Sequence, residues 1–189
     1  MLLLAQAGCS TQLLRDAGAT QPGVEIGNAA FFPQREHQCG PAALATLLTA
    51  AGVAISPDAL TREVYIPGRK GSVQAEMLAA TRRHARIALL LEPELAALLQ
   101  ELQHGRAVLV LQNFGLSSLP LWHYAVVIGY DREHDAFLLR SGRHERHDTH
   151  RCDGGAGAPT VRAAVSSRGC AHRSWPGDPA QFRVRRMRM

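Results

Sequence analysis

The sequence predicts an α+β domain, with helices first and an antiparallel sheet after them. Three observations carry this: Ala- and Leu-rich runs with helical punctuation between Pro41 and Gly105, β-branched runs after Arg106, and a turn-forming segment, Asp131 to Asp135, between the last two runs. At 189 residues with 46% hydrophobic content, the chain buries one core, so one domain is expected.

The elements follow in order. Ala42 to Ala51 is rich in Ala and Leu, with Pro41 suited to a first helical position and Gly52 to a C-terminal stop. Ser56-Pro57 introduces a short helix over Asp58 to Glu63. Gly68-Arg69-Lys70-Gly71-Ser72 is too short for a phosphate-binding loop and reads as a turn, with Ser72 capping a helix from Val73 to His84. Glu94 to Gln103 places Leu95, Leu98, Leu99 and Leu102 on one face as core residues, and Gly105 ends it. Ala107 to Gln112 reads as a strand, Asn113 to Leu121 as a loop, and His123 to Tyr130 as a buried strand. Asp131 to Asp135 then turns into Ala136 to Arg140, giving an antiparallel hairpin.

Chemistry concentrates at two places. Cys39, in Gln34-Arg35-Glu36-His37-Gln38-Cys39-Gly40-Pro41, opens the first helix, where unpaired N–H groups and the macrodipole favour the nucleophilic thiolate. His123 heads the buried strand far downstream. A cysteine nucleophile needs an imidazole near it in space to take its proton and return one to the leaving group, and His123 is the candidate. Gln34, five positions before the thiol, and Gln38, beside it, are competing amide donors for an oxyanion.

Gln34, Cys39-Gly40-Pro41 and His123-Tyr124-Ala125-Val126-Val127 resemble the signature of the papain-like double-glycine leader peptidases, family 39 of the cysteine peptidases. The likeness runs from about Phe31 to Gly142 and is closer to the stand-alone, envelope-associated bacterial members, with Phe31-Phe32-Pro33-Gln34, Pro67 to Ser72 and Leu139-Arg140-Ser141-Gly142 also fitting. The resemblance implies a papain-like fold: an N-terminal helical part carrying Cys39 and a C-terminal antiparallel sheet carrying His123. It further implies that Cys39 attacks a carbonyl carbon, that His123 serves as base and then acid, and that the Gln34 amide donates to the oxyanion. Losing one such donor typically costs about 100- to 1000-fold in rate. The residue that orients the histidine, usually Asp or Asn, falls on Ser141 here, which accepts a hydrogen bond but brings no charge.

The net charge of +5 divides unevenly. Residues 1–142 hold 11 basic and 12 acidic side chains, whereas residues 143–189 hold 10 arginines against 4 acidic residues. The basicity therefore belongs to the tail, and no nucleic-acid partner is expected. From Arg143 onward regular hydrophobic alternation largely stops, which predicts an Arg-rich tail that is disordered, divergent, or read in a shifted frame. His144, His147, His150 and Cys152 match no standard pair of zinc-ligand motifs, so no metal is expected. Neither is a cofactor, since thiolate, imidazole and amide suffice.

At the other end, Met1-Leu2-Leu3-Leu4-Ala5-Gln6-Ala7-Gly8-Cys9 resembles the end of a bacterial lipoprotein signal, with Cys9 as the lipidated residue. No apolar run approaches the roughly 18 residues of a membrane helix. Nothing in the spacing of Cys152 and Cys170 demands a disulfide. The expected organisation is a signal-like segment over 1–9, a linker over 10–30, the peptidase-like domain over 31–142 and the tail over 143–189. The expected protein is a monomeric cysteine peptidase of the bacterial envelope, membrane-bound only through Cys9 or else periplasmic. It would hydrolyse peptide bonds of a peptide or protein substrate through a thioester, after small residues such as paired glycines. The alternatives are an inactive papain-like domain that binds peptides or envelope proteins, and the same chemistry turned to acyl transfer or deamidation.

Overall fold

A computed structural model describes residues 12–115 and 118–142 in full, and the backbone of residues 148–151 and 164–169. In chain order the elements are α1 (Leu13–Asp16), β1 (Gly23–Glu25), α2 (Cys39–Ala50), α3 (Pro57–Val64), a 3-10 turn (Pro67–Arg69), α4 (Gln74–Arg83), β2 (Arg86–Leu91), α5 (Leu95–Gln103), β3 (Val108–Asn113), β4 (Trp122–Asp131), β5 (Ala136–Arg140), β6 (Asp148–Arg151) and β7 (Ala164–Gly169). The architecture is α+β, as the sequence implies.

The strands form one seven-stranded sheet, six of them in the order β2-β7-β3-β4-β5-β6 and the seventh, β1, paired with β4, every pairing antiparallel. β4 is its spine: β3 lies along Trp122–Val127 and β1 along Gly129–Asp131. A Cβ on Gly129 would collide with the Val24 carbonyl, so the close approach of β1 requires glycine there. The register of β5 on β4 shifts between Val127 and Gly129.

α2 packs on β4 and is buried from Gly40 through Leu48, which is why it is apolar nearly all round instead of amphipathic. α3 is set by its N-cap, where Ser56 Oγ accepts from the Ala59 N–H at 3.3 Å and Pro57 occupies the first turn. α5 buries Leu98, Leu99 and Leu102, and Gly105 follows at φ +71°. Tyr130, Leu44, Leu47, Leu48, Leu99 and Ile128 are among the largest fully buried side chains.

Several elements differ from expectation. β2 was not anticipated, because Arg86–Leu91 shows no clean alternation: Ile87 and Leu90 are exposed although both are apolar. α1 and β1 fall within residues 10–30, expected to be a linker. The carboxylate of Asp135 accepts from the Leu13 and Leu14 N–H groups at 3.1 and 2.8 Å, tying α1 to the β4–β5 turn. β6 and β7 fall within residues 143–189, the span expected to be an Arg-rich tail. β7 lies between β2 and β3 and closes a gap no local pattern announces. Among the described residues, no helix is long and apolar enough to cross a membrane.

Candidate active site

Cys39 is the first residue of α2, and its thiol is free and half-buried. Gln38 occupies the N-cap without a side-chain cap bond, so it leaves the first-turn N–H groups of α2 to other partners. His37, just before it, has φ +60°, a left-handed conformation uncommon for a non-glycine residue, and the Gln38 N–H closes the turn on the Arg35 carbonyl at 3.0 Å. Behind the thiol, Gly40 is pressed against Ser72. A Cβ on Gly40 would meet Ser72 Oγ and would lie 2.6 Å from Ser72 Cβ. Ser72 therefore does not cap α4 as expected. The helix begins after Val73, and Ser72 Oγ is buried without a hydrogen-bond partner against α2.

His123 lies near the start of β4, with Nε2 2.7 Å from Ser141 Oγ just past the end of β5. Ser141 thus reaches the ring from just past the strand that follows the histidine strand, the position the family resemblance implies for an orienting residue. Nδ1 is left without a hydrogen-bond partner among the described residues. On the other side, Gln112 of β3 pairs directly with His123 in register, is only 3% exposed, and has a buried Oε1 without a partner. The Phe114 ring tilts over the imidazole at a centroid distance of 5.3 Å. Burial holds the His123 pKa below the ordinary 6.5, because desolvation disfavours the imidazolium.

Gln34, buried in the loop before α2, ties this loop to both sheet segments. Its backbone N–H donates to the Gly142 carbonyl at 3.0 Å, and its Nε2 donates to the Tyr124 carbonyl at 3.3 Å. An amide nitrogen carries two hydrogens, so one N–H remains for another acceptor. Tyr124, next to the histidine, is almost fully buried, and its phenol is pushed up to about 12 by burial and, secondarily, by the charge of a nearby Cys39 thiolate. Gln34 and Ser141 come from separated segments and meet β4 at Tyr124 and His123, and the charge of Cys39, from a third segment, acts on the Tyr124 phenol. Tyr124, Phe114 and Gln112 were not singled out from sequence; the strand register of β3 on β4 would have pointed to the last two.

Cys9, Cys152, Cys170, His144 and His147 lie outside the described residues, as does the side chain of His150. Among the described residues, no group of three or more His, Cys, Asp or Glu side chains is arranged to hold a metal.

A helix that opens on a free cysteine, laid on an antiparallel sheet that carries a histidine, is consistent with a papain-like arrangement. Residues 26–150, about two thirds of the chain, match the Peptidase_C39 like family, and the chain belongs to that family. It is thus a cysteine peptidase-like domain. The match begins before Phe31 and continues past Gly142 to β6, so it exceeds the stretch whose motifs are legible by eye. No curated protein matches the chain in sequence.

Proposed function

We propose that the protein is a cysteine peptidase in which Cys39 is the nucleophile, His123 the general base and acid, Gln34 the oxyanion donor and Ser141 the orienting residue. The observation that carries this reading is the convergence on the start of β4: Ser141 Oγ lies 2.7 Å from Nε2 of His123, the Gln34 amide donates to the Tyr124 carbonyl, and the charge of Cys39 is felt at the Tyr124 phenol. With Nε2 held by Ser141, Nδ1 is the nitrogen available to the thiol proton. The sulfur attacks the carbonyl carbon, and negative charge on its oxygen is met by the free N–H of Gln34. The imidazolium then gives its proton to the amine nitrogen as the C–N bond breaks, leaving a thioester. Water attacks the thioester with its proton taken by His123, which releases the acid and restores the thiol.

Membership of the Peptidase_C39 like family supports small residues, such as paired glycines, beside the cut. The test is cleavage of peptides carrying Gly-Gly by the full chain and by Cys39→Ala. Cleavage after the second glycine, abolished by the substitution, is expected. Intact peptides under conditions where Cys39 alkylates no faster than free cysteine would refute it.

Ser141 favours a second reading, a cleft that binds peptides without cutting them. A hydroxyl stabilises an imidazolium less than a carboxylate does, and burial already disfavours that cation. Peptide binding that survives Cys39→Ala, with no cleavage by the unaltered chain, would select it. Lipidation of Cys9 and an envelope location belong to the same proposal; an N-terminal peptide with unmodified Cys9 in the membrane fraction would exclude the anchor.

A further inference from the structure

The hairpin that carries His123 continues outward as an exposed apolar strip. Gln112 pairs with His123 and Asn113 with Trp122, and the Phe114 N–H donates to the Leu121 carbonyl at 2.9 Å, extending the ladder by one pair. Directly opposed residues share a face, as do residues two apart along a strand. Phe114 and Leu121 therefore lie on the face of His123, and the Phe114–His123 ring contact agrees. Phe114 is 50% exposed, Leu121 64% and Leu119, beyond it, 77%. The strip is held in place at its base. Asn113 Oδ1 accepts from the Gly115 and Leu121 N–H groups at 2.9 and 2.8 Å, and a Cβ on Gly115 would lie 2.7 Å from the Leu121 nitrogen. Between Asn113 and Tyr130 the sequence contains no Asp, Glu, Lys or Arg.

We propose that Phe114, Leu121 and Leu119 form a specificity surface for a large apolar side chain on the leaving-group side of the scissile bond. The inference rests on the peptidase reading above. In that reaction the imidazolium gives its proton to the departing amine, so the leaving segment passes beside the imidazole. Phe114 lies against that ring, with Leu121 paired opposite it just before β4 and Leu119 two residues further out. A charged substrate side chain would find no partner there, whereas Leu or Phe would cover apolar surface now facing water.

The experiment uses the full chain and two peptides with the same acyl side, ending in Gly-Gly, that carry either Leu or Asp within the first three leaving-side residues. The Leu peptide is expected to have kcat/KM higher by about tenfold or more, the scale of one apolar pocket contact, chiefly through KM. Leu121→Ser and Leu119→Ser should shrink that ratio toward one by raising KM for the Leu peptide, while Leu121→Met should keep it. Thermal unfolding establishes that each variant is folded. Equal kcat/KM for the two peptides overturns the proposal and leaves the peptidase reading standing. If Leu121→Ser instead abolishes binding to lipid vesicles or self-association without moving the ratio, the strip belongs to a membrane or a second copy, and the proposal fails. Cleavage of neither peptide by the unaltered chain overturns both.

Discussion

Ser141 is the chemically weakest point of the candidate site. It fixes Nε2 of His123 at 2.7 Å, yet it offers only a neutral oxygen to a ring whose cation burial already disfavours. Ser141→Ala should lower kcat/KM by about tenfold, the loss of roughly one hydrogen bond's orientation, with KM nearly unchanged. Ser141→Asp would place a carboxylate at the ring and favour the imidazolium, so the His123 titration, followed by NMR of the ring protons, should move upward. A titration that does not move would separate Ser141 from the imidazole in solution. As candidates, Cys39 and His123 stood out from local context, a thiol at a helix start and a histidine heading an apolar strand, whereas the role proposed for Gln34 came from the family resemblance. Tyr124 and Phe114 did not stand out, since their contacts depend on which strand faces which helix and on the β3–β4 register.

Among elements, the junction of α2 with the turn before α4 sets the thiol's position. Gly40 follows Cys39, and a side chain there would be forced into Ser72. Gly40→Ala should destabilise the protein by about 1–3 kcal/mol in denaturant unfolding, the usual range for overpacking. Ser72→Gly in the same chain removes the obstructing atoms and should recover much of the loss; additive effects would mean the two residues do not meet. Local reasoning gave Ser72 the role of a cap because it stands just ahead of an amphipathic run, and only the tertiary contact with Gly40 shows otherwise. A similar limit applies to α1, whose anchor comes from Asp135, far away in sequence, at φ +50°. Asp135→Gly suits that backbone angle while deleting the carboxylate. It should cost about 1 kcal/mol, as for a lost helix cap, and speed proteolysis near Leu13.

At the scale of the whole molecule, the sheet is more extensive than the sequence suggested. Alternation and turn residues revealed β3, β4 and β5, but β2 mixes exposed and buried apolar residues, and β6 and β7 lie in an arginine-rich context. Their pairing is set by partners across the sheet, not by their own periodicity. The buried imidazole in this sheet also makes stability depend on pH. Because the folded-state pKa of His123 is lowered, the unfolded chain binds more protons as pH falls below about 6.5. The His123 contribution should therefore leave stability undiminished above that pH and erode it below, until the pH passes the folded value. Urea unfolding of the native chain and His123→Gln across this range should show the extra slope only in the native chain.

The central claim is that Cys39 and His123 act as one reactive pair. The most direct measurement is the rate of Cys39 alkylation by iodoacetamide as a function of pH, in the native chain and in His123→Ala. The account requires alkylation near neutral pH to be faster than that of free cysteine and to slow clearly when the imidazole is removed. Equal rates in both proteins, following the titration of an ordinary thiol, would contradict it.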